Sequence, residues 1–72
     1  MNNLFSPAKT VNFDMIGQDG NAFVLIGGWR QQARREGWSS ADIDKVVNEA
    51  TSGDYDHLIV TLAAHSESEE GW

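Results

Sequence analysis

His57 and His65 are the side chains best suited to acid–base or metal chemistry, and their spacing argues against a shared ion. They lie eight residues apart on one expected helix. That separates them by about 12 Å along the axis, too far to bind one metal. His65 reads as a helix C-terminal histidine favoured by the helix dipole, and His57 as a solvated first-turn residue. The chain has no cysteine, which removes disulfides, thiolate ligands and cysteine nucleophiles. Gly27-Gly28 is not a phosphate loop, because no Gly-Lys-Ser/Thr follows it. No nucleophile elbow, dinucleotide fingerprint or zinc spacing is present. The expectation is a protein that is not an enzyme and takes no cofactor or metal.

The remaining signals concern binding. Gln18-Asp19-Gly20-Asn21-Ala22 is a turn feeding a helix, where free N–H groups suit an anion or simple capping. Trp29, Arg30, Arg34, Arg35 and Trp38 gather indoles and guanidiniums within ten residues. Such residues dominate interface hot spots, clamp phosphates and stack on bases; the structural alternative is that the indoles are core. Asp42, Asp44, Glu49, Asp54 and Asp56 form a candidate acidic face, either solvated or aimed at a basic partner.

The formal charge is −6 over 72 residues, and it is segregated. Lys9, Arg30, Arg34 and Arg35 stand against Asp14, Asp19 and Glu36 in residues 1–36. In residues 37–72 Lys45 is the one basic side chain among Asp42, Asp44, Glu49, Asp54, Asp56, Glu67, Glu69 and Glu70. Segregated charge favours oriented encounter with a partner. Three clustered arginines in an acidic chain are too few to neutralise a nucleic-acid backbone, so direct nucleic-acid binding is not expected. No apolar run spans a membrane, and MNNLFSPAKT lacks the pattern of a signal peptide, so a cytoplasmic protein is expected.

These residues are placed by a small α+β, mostly α arrangement. Residues 1–9 read as a flexible arm, 10–66 as one β-α-α-α domain, and 67–72 as an acidic tail ending in Trp72. Thr10 to Ile16 alternates polar and apolar side chains, predicting a half-buried strand. Ala22 to Glu36 predicts a helix whose apolar stripe is Ala22, Leu25, Ile26, Trp29 and Ala33, widened by Phe23. Gly27-Gly28 within it marks either a close approach of another group or a kink, and Gly37 ends it. Ser39 or Ser40 opens a second helix with the stripe Ile43, Val46, Val47 and Ala50, and Ser39 followed by Asp42 gives a weak capping box. Gly53 stops that helix, and Asp54 caps a third with the stripe Tyr55, Leu58, Ile59 and Leu62.

A lone strand leaves N–H and C=O groups unpaired. The arm is one candidate partner; the other is the same strand of a second copy, giving a homodimer with a central ribbon. The small size favours dimerisation too, because a chain of this length buries little surface.

Asp19-Gly20-Asn21-Ala22-Phe23-Val24-Leu25-Ile26-Gly27, followed by Gly37-Trp38 and by Ser52-Gly53-Asp54-Tyr55-Asp56-His57-Leu58, resembles a widespread group of small phage- and prophage-encoded proteins. The resemblance covers roughly residues 10–65. It implies a phage-type origin and, by analogy with other small acidic phage proteins, inhibition of a bacterial defence protein in the manner of anti-CRISPR proteins. Sequestration of a phosphate-bearing nucleotide messenger is the alternative, with Asp19, Gly20 and Asn21 offering the turn, the arginines holding phosphate, and Trp29, Trp38 or Tyr55 stacking on a base. A structural accessory of the virion is a third.

Overall fold

A computed structural model describes residues 3–15 and 19–67. Among them are β1 (Val11–Asn12), α1 (Ala22–Arg35), α2 (Ser40–Ala50), α3 (Tyr55–Ala64) and β2 (Ser66–Glu67). The mostly α, α+β class expected from the sequence is the class observed. Ile16 and Gln18, expected at the strand end and the following turn, lie outside the described residues, as do Glu69, Glu70 and Trp72 of the expected tail.

Each helix starts where a side chain takes an otherwise unpaired N–H. Asn21 Oδ1 accepts from Phe23 N at 2.8 Å, Ser39 Oγ from Asp42 N at 3.2 Å, and Asp54 Oδ1 from His57 N at 2.9 Å. The end of α1 is a Schellman turn. Gly37 N donates to Arg34 O and Trp38 N to Ala33 O. Gly37 carries this turn at φ 88°, a conformation that side chains with a Cβ resist. The turn swings Trp38 back over Trp29, and the two indoles meet edge to face with centroids 5.3 Å apart.

Val11, Leu25, Trp29, Ala33, Ile43, Val46, Val47, Ala50, Leu58 and Leu62 fill the core, with Phe13 beside them. The expected stripes of α1 and α2 are therefore the buried ones. Two assignments change. Phe23, read as widening the α1 stripe, is 86% exposed, and Tyr55, read as part of the α3 stripe, is 48% exposed. Thr61 and His65 take buried places instead.

The strand is shorter than its pattern, and it is not alone. Val11 pairs in parallel with Ser66, and Asn12 with Glu67. Val11 N donates to His65 O at 3.0 Å and Phe13 N to Glu67 O at 3.1 Å. The alternation nonetheless persists past the ladder: Val11 and Phe13 are buried, Asn12 and Asp14 exposed. The outward N–H of Asn12 donates to Glu36 Oε2 at 2.7 Å, and Gln32 Nε2 holds the same oxygen at 2.8 Å. One side of β1 thus meets β2 and the other meets a carboxylate from the end of α1. β1 therefore has a partner strand within the chain, which the expectation of a lone strand did not include, and the N–H groups of Val11, Asn12 and Phe13 are all engaged.

The expected arm is also a packed element from Asn3 onward. Asn3 Nδ2 donates to Lys9 O at 2.7 Å and to Ala64 O at 3.0 Å. Leu4 N donates to His65 Nε2 at 3.0 Å. Phe5 stands edge-on to Trp38 and to His65, with centroids 5.5 and 5.9 Å away. Lys9 Nζ sits 4.4 Å from the Trp38 ring centre, and Lys45 Nζ 5.1 Å from that of Phe5.

Candidate functional site

The two histidines have different tasks. His65, fully buried, caps the C-terminal end of α3. Its Nδ1 lies 2.8 Å from Thr61 O and its Nε2 accepts from Leu4 N. A carbonyl accepts and an N–H donates, so the ring is the neutral tautomer with the proton on Nδ1. Its carbonyl receives Val11 N and the Trp29 indole N–H, the latter at 3.2 Å. His65 is a structural joint between α3, β1, α1 and the N-terminal segment.

His57 is not simply solvated. Its Nε2 lies 2.8 Å from Glu49 Oε2 and 3.5 Å from Ser52 Oγ. Serine, histidine and glutamate together invite comparison with a hydrolytic relay. In a relay the carboxylate and the hydroxyl address opposite ring nitrogens. Here both address Nε2, and Ser52 Oγ donates to Glu49 O at 2.7 Å. The cluster joins the end of α2 to the start of α3. Among the described residues, no group of three or more His, Cys, Asp or Glu side chains is placed to hold a metal ion.

The tryptophan–arginine cluster is divided. Trp29 is fully buried and its indole N–H is engaged, so it cannot stack on a ligand without opening the core. Trp38 is half-buried between Trp29, Phe5 and Lys9. Arg34 and Arg35 are exposed, while Arg30 is half-buried with its Nε enclosed and lacking a hydrogen-bond partner. The exposed aromatic ring of Tyr55 lies at the opposite end of α1, beside Gly20, whose carbonyl accepts from the Tyr55 hydroxyl. From residue 23 to residue 34 the helix rises about 16 Å.

The acidic face is likewise divided. Asp42 pairs with Lys9 at 2.5 Å, Glu49 with His57, and Asp54 caps α3. Asp44 and Asp56 remain exposed. Asp19 Oδ1 accepts from Asn21 N at 3.0 Å, so this carboxylate supports the turn.

The residue missed as a site residue is Phe23. It borders a cleft of about 310 Å³ lined by Ala22, Phe23, Ile26, Ala50, Thr51, Gly53, Asp54, Tyr55 and Leu58. The cleft lies where the first turns of α1 and α3 meet the end of α2. Its wall is mostly carbon, and its polar side chains are engaged. Thr51 Oγ1 donates to Val47 O at 2.9 Å, Asp54 caps His57 N, and Tyr55 holds Gly20. A helical wheel puts Phe23 about 100° from Ala22 at the middle of the buried stripe, so sequence spacing alone does not say whether a neighbour reaches it.

No protein-family model matches the chain, and neither a curated protein nor a solved structure matches it. Among the described residues no helix is long and apolar enough to cross a membrane.

Proposed function

We propose that this chain is a small non-enzymatic binding protein that inhibits a bacterial defence protein by covering part of its surface. The observation that carries the reading is the exposure of Phe23 beside Tyr55 on an apolar cleft. A single exposed apolar side chain means little. Phe23, Ile26, Tyr55 and Leu58 instead share one cleft, in a chain whose core is already closed around Trp29. Burying a phenylalanine is worth roughly 1.5–3 kcal/mol, so a partner surface that covers Phe23 gains from the contact. The inhibitory role and the host cytoplasm as its setting follow from the resemblance to small phage proteins carried by Asp19–Gly27 and Ser52–Leu58.

Nucleotide sequestration is the weaker reading. It needs arginines and a stacking ring around one ligand; Trp29 is buried, Tyr55 and Arg34 lie at opposite ends of α1, and half-buried Trp38 already packs against Trp29, Phe5 and Lys9.

The test is expression of the chain in bacteria carrying a defined defence system, followed by phage challenge. The inhibitor reading expects plaquing to rise by orders of magnitude against at least one system. Unchanged plaquing across restriction, CRISPR-type and nucleotide-signalling defences would contradict it.

A further inference from the structure

We infer that the cleft between the first turns of α1 and α3 receives an apolar side chain from a basic segment of the partner protein, a proposal that rests on the protein-binding reading above. Three features of the cleft select this occupant.

The first is polarity. Thr51, Asp54 and Tyr55 already have partners within the chain. A small polar ligand would be held in a binding site by a few polar groups turned towards it. An aliphatic or aromatic side chain needs no such groups, and a cleft of about 310 Å³ accommodates one. Gly53 belongs to the shape of this wall. A Cβ there would meet the His57 ring at 3.1 Å.

The second is charge. The cleft is built from residues 20–26 and 50–58, and residues 19–29 and 46–67 contain no lysine or arginine. Exposed Asp54 is in the wall, exposed Asp56 follows Tyr55, and exposed Asp19 precedes the Gly20 carbonyl that Tyr55 holds. Half-buried Glu49 and His57 are paired with each other. Arg30 is the nearest cation in sequence, one turn beyond Ile26 and about 6 Å further along the axis. Lysine or arginine flanking the anchor side chain would meet carboxylates around the mouth, which fixes register and speeds encounter.

The third argues against two copies meeting cleft to cleft. Two such clefts facing each other would bring Asp19, Asp54 and Asp56 against their own equivalents, in a chain of formal charge −6. Like charge across an interface opposes association.

The test uses two synthetic peptides with the same leucine anchors, one flanked by lysines and the other by glutamates, titrated into ¹⁵N-labelled protein. The lysine peptide is expected to shift the amides of Phe23, Ile26, Thr51 and Tyr55 saturably. Its affinity is expected to fall several-fold between about 50 and 300 mM salt. The glutamate peptide should bind at least tenfold more weakly. Phe23→Ser should remove the cleft shifts while leaving the remaining spectrum in place. Equal binding of both peptides at the cleft would overturn the charge assignment but leave the protein-binding reading standing. Shifts confined to other surfaces, or none, in a protein that still rescues plaquing would overturn this docking site without touching the inhibitor reading. Loss of that rescue is the separate failure of the reading itself.

Discussion

The backbone N–H of Leu4 donates to Nε2 of His65 across 61 positions of sequence, at 3.0 Å. This bond joins the N-terminal segment to the end of α3. The imidazole's other nitrogen is engaged by Thr61 O, and the carbonyl of the same residue receives Val11 and Trp29. One buried histidine therefore ties together much of the fold. A buried polar group that loses its partner costs about 1–3 kcal/mol. The joint therefore demands one tautomer, with Nδ1 protonated and Nε2 accepting. Nitrogen-15 shifts of the two rings test this: His65 should show a pyrrole-like Nδ1 and a pyridine-like Nε2. The reverse pattern would contradict the bond to Leu4.

Trp29 should be the side chain least tolerant of truncation. It is fully buried, its indole N–H reaches His65 O, and its ring packs on Trp38. Trp29→Ala removes a large core side chain and is expected to destabilise by about 3–5 kcal/mol. For a domain this small, that is most of its stability. Chemical denaturation of the variant should show an unfolded or barely folded chain. A midpoint close to wild type would contradict the packing.

Gly27 and Gly37 should respond in opposite directions. A Cβ at Gly27 meets nothing within 4 Å, so Gly27→Ala should stabilise α1 by about 0.5–1 kcal/mol. This also answers the question raised by glycine within that helix: at position 27 no group approaches closely. Gly37 sits at φ 88°, and Gly37→Ala should destabilise by about 1 kcal/mol. Thermal melts of both variants check the signs.

The edge of β1 bears on assembly. Asn12 N is held by Glu36, and the inner N–H groups on either side meet His65 and Glu67. Sedimentation of the intact chain at tens of micromolar should report a species of 8.0 kDa. A stable species of twice that mass would contradict that expectation and show that another surface joins two copies.

The helices were legible because their punctuation is local. Asn21, Ser39, Asp54 and Gly37 act on backbone groups within a few residues of themselves, so their roles show in short stretches of sequence. Ser66–Glu67 carries no strand signal. It becomes a strand because α3 ends beside Val11, whose N–H needs an acceptor. Residues 3–9 looked mobile for the same reason, since their anchors are Ala64 and His65 at the far end of the chain. Within the candidate site, the Asp19–Asn21 turn, Asp54 and Tyr55 could be read from sequence, and Tyr55 does meet Gly20. The two indoles do meet in the fold, but the helix and the Schellman turn direct them against each other and the core and leave Arg34 and Arg35 outside. Phe23 was hidden by its place on the edge of an apolar stripe, where burial depends on how far the neighbouring helix extends.

The central claim is that Phe23 serves binding and not folding. The most direct measurement is to compare Phe23→Ser with wild type for both thermal unfolding and rescue of phage plaquing. Substitution of a side chain 86% exposed should change stability by no more than about 0.5 kcal/mol, while rescue is lost. A variant that keeps full rescue, or one that loses rescue only together with its fold, would contradict the account.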